Sequence, residues 1–282
     1  MLYKRNLSKE KNEKLEQVIV SKAQKVRETH KRMGARVMYY QLKIEDIGVN
    51  KFERILSKNG LSVKIRRRRI ITTDGYYENC DTNLINGITL TNINQVIAGD
   101  ITYLILNNKN YYIFSLKDMY SKRIVGLFGS DTMLAINAVK TLKQTIKTRG
   151  INIKNCIHHS DAGSQYKSNV YKNLLKKNYM KMSIAENCLQ NGMAEQLNGV
   201  LKNDYIKNQI KDVKSLNKQL NNIKRLINEE RPVKALGYKT PIEFERWIKN
   251  NNKSPVMELY DFTKDCEGTL RGITTKKFNS IN

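Results

Sequence analysis

Three acidic residues, Asp100, Asp161 and Glu195, occupy positions where a carboxylate can take part in chemistry. Asp100 lies inside an apolar run predicted to be a strand, where a carboxylate is costly unless it is paired or binds a metal. Asp161 ends a second predicted strand and precedes a Gly-containing turn, which is where α/β sheets place ligands. The alternatives are a solvent-facing strand-edge residue for Asp100 and a turn or helix-capping residue for Asp161.

Glu195 belongs to a predicted helix over about residues 190–206. At about 100° per residue, Asn191, Asn198 and Lys202 fall within about 60° of Glu195. The opposite side of the helix is apolar, which predicts a buried face and a narrow polar strip. A plain amphipathic surface helix is the alternative, and the two aspartates elsewhere in the chain favour a functional strip.

Three carboxylates on one face suit hard cations, which prefer oxygen ligands. Two Mg²⁺ ions per site, with Mn²⁺ as a substitute, could activate one oxygen and stabilise the leaving oxygen in an in-line displacement at phosphorus. Such a site needs no covalent enzyme intermediate. Water as the nucleophile would cleave a nucleic-acid strand, and a 3′-hydroxyl as the nucleophile would join two strands.

The elements around the carboxylates predict an α/β fold. Three strands joined by short turns indicate an antiparallel meander, and helices then alternate with two further strands. The predicted strands are 96–106, 110–116, 122–128, 156–160 and 180–183, and the helices 133–148, 168–177, 190–206 and 213–229, with a last helix from Pro241. The order βββ-α-β-α-β-α predicts an RNase H-like mixed five-stranded sheet flanked by helices, preceded by a helical segment with a helix-turn-helix.

The excess positive charge indicates a polyanionic partner. The chain has 282 residues and a formal net charge of +25, and residues 1–70 alone contain 20 Lys+Arg against 7 Asp+Glu. Nucleic acid is the first candidate, because self-repulsion of this size is relieved by a polyanion. An anionic membrane is a weaker candidate, since no run approaches the roughly 18 apolar residues of a spanning helix. With no signal peptide at its start, the chain is expected in the cytoplasm.

The N-terminal segment is predicted to hold three helices, of which the last two form a helix-turn-helix. Asn50 is expected to cap the third helix, with Glu53 as its capping-box partner. Lys51 and Arg54 on that helix and the run of Arg66, Arg67, Arg68 and Arg69 are the predicted DNA contacts. An ordinary helical hairpin with a solvated basic strip is the alternative.

Composition and charge divide the chain into four parts. They are a basic helical DNA-binding segment (1–70), a polar linker (71–93), the catalytic core (94–210) and a C-terminal helical extension with a tail (211–282). The four cysteines are far apart and form no CxxC pair, which argues against a zinc site and favours reduced thiols.

Four short blocks of the sequence carry recognisable motifs. Residues 159–168 read HSDAGSQYKS, residues 100–103 read DITY, residues 191–195 read NGMAE, and residues 231–244 read RPVKALGYKTPIEF. They are similar to the HSDxGSQYxS, DITY, NAxxE and RPHxALGYxTPxEF motifs of one family. The sequence thus resembles the second-frame (OrfB) transposases of the IS-three group of bacterial insertion sequences, which have a retroviral-integrase-like DDE core. The chain departs from the family at Ile97, Ala162 and Val233, where Trp, Arg and His are usual.

The resemblance implies roles for particular residues. Asp100, Asp161 and Glu195 become metal ligands, and Lys202 becomes a DNA-contacting lysine. His159 and Gln165 would either support the ligands or contact DNA, as would the strip residues Asn191 and Asn198. The implied activity is cleavage at element ends and 3′-hydroxyl strand transfer into double-stranded DNA, by an oligomer on paired ends, with an upstream-frame (OrfA) partner or fusion.

Two rival functions fit parts of the sequence. A decayed or domesticated transposase would bind DNA with steep salt dependence but would not cleave it. An RNase H-like nuclease would hydrolyse strands without joining them, and would leave the basic N-terminal segment unexplained.

Overall fold

The computed structural model describes most of the chain. The described residues are 2–63, 83–185, 192–206, 210–252 and 254–259, without the side chains of 2–9 and 192–195. The predicted arginine run at 66–69, the residue Asn191 and most of the predicted linker lie outside them.

The N-terminal segment is a small helical unit with its own apolar core. It contains α1 (Leu2–Thr29), α2 (Ala35–Gln41) and α3 (Val49–Lys58). Phe52 and Leu56 of α3 are fully buried against side chains of α1 and α2. The helix pair expected from the sequence is therefore present as a packed hairpin.

The capping box predicted for α3 is wrong. α3 begins at Val49, and its N-cap residue is Gly48, whose extended backbone (φ −71°, ψ 156°) allows the turn into the helix without a side-chain cap. Asn50 and Glu53 instead accept hydrogen bonds from Arg36 of α2, at 3.3 Å and 2.9 Å from Nη2. An ionic contact between α2 and α3 thus uses the side chains that the sequence pattern assigned to capping.

A five-stranded mixed sheet forms the centre of the molecule. Its strand order is β4-β3-β2-β5-β6, with β2, β3 and β4 antiparallel and β2, β5 and β6 parallel. The strands are β2 (Val96–Leu106), β3 (Lys109–Asp118), β4 (Ile124–Ser130), β5 (Ile157–Ser160) and β6 (Lys181–Ile184), and β1 and β7 lie outside this sheet. The predicted meander and the RNase H-like mixed sheet are confirmed.

Helices cover both faces of the sheet. On one face lie α4 (Ala135–Arg149), α5 (Ser164–Lys167) and α6 (Asn169–Lys177), and on the other lie α7 (Gly192–Val200) and α8 (Val213–Arg225). Leu216 and Leu220 of α8 share one buried cluster with side chains of β3, β4 and α7. The boundary expected at residue 210 therefore runs through a continuous core rather than between two units.

Two helices end in π-helical turns that the sequence pattern did not predict. α7 continues as Leu201–Tyr205, and α8 continues as Leu226–Glu230. Each such turn widens the helix locally and rotates the residues that follow. Arg231, the residue after the second turn, pairs with Asp204 of the first turn at 3.0 Å. His30 of the N-terminal unit bonds the Tyr205 hydroxyl at 2.7 Å and lies 3.4 Å from Glu230, so it contacts both turns.

The end of the predicted linker is not a free connection. β1 (Thr89–Leu90) pairs antiparallel with β7 (Met257–Glu258), so residues 83–93 are tied to the C-terminal part of the chain. α9 (Pro241–Asn251), which precedes β7, begins with a capping box between Thr240 and Glu243. No described helix has both the length and the apolar character needed to cross a bilayer.

A buried ionic network fixes α9 to the sheet. Asp118, at the end of β3, has no exposed surface and accepts three backbone N–H bonds together with one from Arg149 of α4. Arg149 also pairs with Glu245 of α9 at 2.7 Å, and Glu245 pairs with Arg123 at 2.6 Å. Such a network is stable only when every charge has partners, which is the case here.

Cys156 is a free, buried thiol, and burial raises its pKa. The prediction of reduced thiols stays a prediction. The other three cysteines lie outside the described residues.

Candidate active site

The parallel pairing of β2 with β5 brings two of the predicted carboxylates to the same level. The register pairs Ala98 with His159, and Asp100 and Asp161 each lie two residues further along the chain. Neighbouring strands are about 4.8 Å apart, so the two aspartates occupy one row at the carboxyl end of the parallel strands. Residues 61 positions apart in the sequence thus become neighbours.

Tyr166 is a buried residue of α5, which follows Asp161 in the chain. Burial raises the pKa of Tyr166 well above its ordinary value, and the charges of Tyr171, Asp100 and Asp161 raise it further. One hydroxyl is therefore within electrostatic reach of both carboxylates.

Two neutral donors form hydrogen bonds with the carboxylate of Asp100. Its Oδ1 accepts the backbone N–H of Ile101 at 2.8 Å, and its Oδ2 accepts the side-chain amide of Asn198 at 2.5 Å. Asn198 belongs to α7 and is only 8% exposed. This bond joins the helix of the predicted polar strip directly to the first carboxylate and fixes the orientation of that carboxylate.

Glu195 lies in α7 three residues before Asn198, so the two positions share one helix face. The opposite face is buried through Leu197 and Leu201, as the sequence predicted. The side chain of Glu195 is not among the described ones, and among those that are described no three acidic, histidine or cysteine groups form a metal-binding cluster. The role of Glu195 as third ligand stays a prediction.

Asp161 has little compensation for its charge. Burial raises its pKa, and the backbone N–H of Gly163, which donates to Oδ1 at 3.2 Å, acts in the opposite direction. No described Lys or Arg forms an ion pair with it. Two adjacent carboxylates in this setting form a donor set that fits a divalent cation with oxygen ligands.

Lys202 lies at the border of the site. Its Nζ is 4.9 Å from the centre of the Tyr103 ring. Burial lowers the pKa of Lys202, and the charge of Asp100 acts to raise it, so the ammonium group is within electrostatic reach of the carboxylate. Its position supports the predicted contact with a DNA phosphate close to Asp100.

The other predicted contacts lie further out. Gln165 is half-buried and donates to the Met133 carbonyl at 3.0 Å, which links the turn after Asp161 to the loop before α4. Lys51 and Arg54 are exposed on α3, away from the two aspartates in the chain. Their predicted contacts with DNA remain predictions.

Two predicted DNA contacts are wrong as direct contacts. The ring of His159 has no exposed surface and is hydrogen-bonded through Nδ1 to the Ser183 hydroxyl of β6 at 3.0 Å. Asn198 is buried, and its amide N–H group is used by Asp100. Both side chains act inside the protein, where they hold the strands and the carboxylate in place.

Tyr103 and Tyr166 are not among the site residues predicted from the sequence. Tyr166 belongs to the GSQY part of the 159–168 block, so its position in that block was a usable signal. Tyr103 follows Asp100 by three residues, and only the three-dimensional contact with Lys202 sets it apart from other strand tyrosines.

Comparison with known families agrees with this geometry. Two family models, both described as Integrase core domain, match residues 91–187 and 179–241. Together they cover more than half of the chain, including Asp100, Asp161 and Glu195.

Curated relatives are transposases by name. A putative transposase for insertion sequence element IS986/IS6110 of Mycobacterium tuberculosis (strain ATCC 25177 / H37Ra) is 29% identical over 185 residues, which are 62% of this chain and 66% of the relative. The transposase for insertion sequence element IS629 of Shigella sonnei is 28% identical over 180 residues, covering 62% of this chain and 60% of the relative. The match thus spans slightly less than two thirds of these relatives.

Among solved structures, the HTLV-2 integrase catalytic core domain in complex with magnesium is similar at 16% identity and a TM-score of 0.45, over 58% of this chain and 99% of that one. Residues 91–241 of the chain, which include the five-stranded sheet, match the integrase core domain family.

Proposed function

We propose that the protein is the DDE transposase of a bacterial insertion sequence, which cleaves DNA at the element ends and joins their 3′-hydroxyl groups to target DNA. The match to the integrase core domain and the names of the relatives, which are transposases of insertion sequences, support this activity. The observation that carries the proposal is the common row of Asp100 and Asp161 on two parallel strands, with α7 bonded to Asp100 through Asn198.

We assign the ligands of the catalytic metal ions to Asp100, Asp161 and Glu195. When bound, two Mg²⁺ ions, or Mn²⁺ in their place, would supply Lewis-acid activation at the attacking and leaving oxygens. Asn198 keeps Oδ2 of Asp100 in one orientation, and the Gly163 N–H does the same for Asp161. These bonds preorganise the carboxylates, so that little reorganisation is needed when the phosphodiester arrives.

DNA would be held on both parts of the protein. Lys202 would neutralise a phosphate next to Asp100, and the strip position Asn191 would approach the same strand. The N-terminal unit would bind the element end through Lys51, Arg54 and the arginine run 66–69. The proposal divides the chain into a DNA-binding segment (1–70), a connection (71–93), a catalytic core (94–210) and a C-terminal extension (211–282). It also includes an oligomer on paired ends, an OrfA partner and residence at the bacterial nucleoid.

Strand transfer with Glu195→Gln tests the proposal. A labelled DNA end is incubated with the full chain and Mg²⁺, and joined products are separated by size. We expect the parent protein to join strands and Glu195→Gln to bind DNA without joining. Glu229→Gln is the matched control, because Glu229 is an exposed helical glutamate outside the site, and it should join strands at the parent rate.

Equal joining by the parent and Glu195→Gln would remove Glu195 from the mechanism. Hydrolysis without joining would favour the nuclease, and binding without either reaction would favour the decayed DNA-binding protein.

A further inference from the structure

Tyr103 combines high exposure with a position beside the candidate site. Its side chain is 61% exposed, although it lies in the middle of the long strand β2. On one side Tyr103 pairs with Tyr112 of β3. On the other side the pairing with β5 ends at Ala98, so no described strand covers this edge of β2 beyond Asp100.

The ring of Tyr103 contacts Lys202, and most of the side chain remains exposed to a ligand. Lys202 places its ammonium group 4.9 Å from the ring centre. Two residues further along the same strand face, Ile105 is 65% exposed and extends the apolar surface. Large exposed apolar side chains on an edge strand are an aggregation hazard unless a ligand uses them.

We propose that Tyr103 stacks on an unpaired nucleobase of the DNA strand whose phosphodiester lies at Asp100, while Lys202 binds a phosphate of that strand. This inference rests on the proposed function, since it names how the same site holds its substrate. Aromatic side chains stack on every base, because each base has a π-face. The ammonium group on the ring also places positive charge where the backbone of the stacked nucleotide must pass.

Lys202 connects Tyr103 to the candidate site. Asp100 and Tyr103 are three residues apart in β2, so their side chains start from opposite faces of the sheet, about 10 Å apart along the strand at roughly 3.3 Å per residue. The two sides meet at the uncovered edge of β2, where Lys202 contacts the Tyr103 ring and is within electrostatic reach of Asp100. The stacked base therefore belongs to a nucleotide that passes this edge, next to the phosphate bound by Lys202.

The base must be unpaired, or at the end of the duplex. Inside a duplex both faces of a base are covered by its neighbours, so a protein ring has no face to stack on unless a nucleotide is unstacked. A frayed or processed end offers such a face without the cost of opening the helix. The Tyr103 site thus selects for DNA ends over continuous duplex.

A second tyrosine of the chain provides a matched control. Tyr179 is 66% exposed and has Lys154 at 5.1 Å from its ring centre, so it forms the same kind of pair. It lies between α6 and β6, next to neither Asp100 nor Asp161 in the chain. A general effect of removing an exposed tyrosine would appear at both positions, whereas a nucleobase site would appear only at Tyr103.

The test uses DNA with 2-aminopurine, a base whose fluorescence falls on stacking, at its unpaired 3′ end. The full chain is added with Ca²⁺ in place of Mg²⁺ to favour binding over reaction. We expect the parent, Tyr103→Phe and Tyr179→Leu to quench the fluorescence, and Tyr103→Leu to lose the quenching. Its affinity for this end should fall roughly 5- to 150-fold, with no comparable change for a fully paired internal site.

Quenching by Tyr103→Leu at the parent level, or no quenching by the parent, would overturn the proposal. Strand transfer on the same preparations separates this failure from that of the function. If the parent joins strands and Tyr103→Leu stacks normally, only the nucleobase site is wrong. If Tyr103 stacks the base and the parent does not join strands, the proposed function is wrong and the binding site stands.

Discussion

Asp118 and Asp161 both lie at the ends of strands of the five-stranded sheet, and their surroundings differ in the supply of positive charge. Asp118 accepts three backbone N–H groups and the guanidinium of Arg149. Asp161 accepts the backbone N–H of Gly163 and forms no ion pair with a described Lys or Arg. Asp118 has no exposed surface, whereas Asp161 is partly open.

The difference separates a carboxylate that holds the fold from one that is available to a ligand. A buried charge with a complete set of partners contributes to a fixed packing and has no capacity for another cation. Keeping a partly buried carboxylate ionised next to a second one costs free energy, and a bound divalent cation can offset that cost. Four substitutions test this distinction.

The largest expected effect is on catalysis by Asp161→Asn. Loss of this ligand should reduce Mg²⁺-dependent strand cleavage at least about a thousandfold, since metal ions supply several kcal/mol of transition-state stabilisation. The midpoint of thermal unfolding should stay the same or rise, because a poorly compensated charge has been removed. Cleavage and unfolding are measured on one preparation, and a variant that is active but unstable would reverse the roles of the two aspartates.

Arg149→Met should have the opposite profile. It leaves Asp118 as a buried charge without its guanidinium partner, which should lower the free energy of unfolding by about 3–5 kcal/mol. Cleavage per folded molecule should be unchanged. Arg225→Met is the control, because the pair with Glu230 is exposed and should contribute only about 0–1 kcal/mol. Urea unfolding measures the free energy of unfolding of both variants. An equal loss in Arg149→Met and Arg225→Met would contradict the claim that Asp118 needs its guanidinium partner.

Asn198→Ser should weaken metal binding without abolishing it. Asn198 orients Asp100 through a single hydrogen bond, and partners that orient a ligand typically contribute about 10- to 100-fold to metal affinity. The binding of Mn²⁺ to the full chain is followed by calorimetry. Unchanged affinity would show that Asp100 does not need this bond. Asn203→Ser, five residues further along the chain, is the control at an exposed position.

The smallest effect concerns the buried amines near Asp118. Burial lowers the pKa of Lys122 to about 7, with the charge of Lys117 acting in the same direction. Above pH 7 the unfolded chain retains a proton that the folded state has released, so the free energy of unfolding should rise with pH up to about 10. Lys122→Met should reduce this slope by about 1 kcal/mol per pH unit, and exposed Lys147→Met should not. The free energy of unfolding is measured in urea between pH 7 and 9 for the parent, Lys122→Met and Lys147→Met. An equal pH dependence in all three proteins would contradict the release of a proton by Lys122 on folding.

The sequence was sufficient for elements with a strong local pattern. The observed bounds of β2 equal the predicted 96–106, because an apolar run ends at two asparagines that form the turn. The buried face of α7 follows from helical spacing alone, and so does its polar strip. Both aspartates were identified from their positions in or after strands, a signal that needs no tertiary contact.

Features that depend on residues distant in the chain could not be predicted from the sequence. The common row of Asp100 and Asp161 depends on the register between β2 and β5, which no local pattern specifies. β1 pairs with β7 over two residues each, too short to show alternation. The start of α3 was predicted wrongly because Asn50 bonds Arg36 of another helix instead of capping α3. The motif that contains His159 does not indicate whether its ring is buried, and the ring is buried by neighbouring strands.

The central claim is that Asp100, Asp161 and Glu195 bind the same cations, and iron-directed cleavage of the protein backbone tests it most directly. Fe²⁺ replaces Mg²⁺ in the full chain, ascorbate and peroxide generate hydroxyl radicals at the bound ion, and mass spectrometry locates the cuts. The account predicts cuts next to all three residues, suppressed together by excess Mg²⁺. Cuts that miss Glu195, or that Mg²⁺ does not suppress, would contradict it.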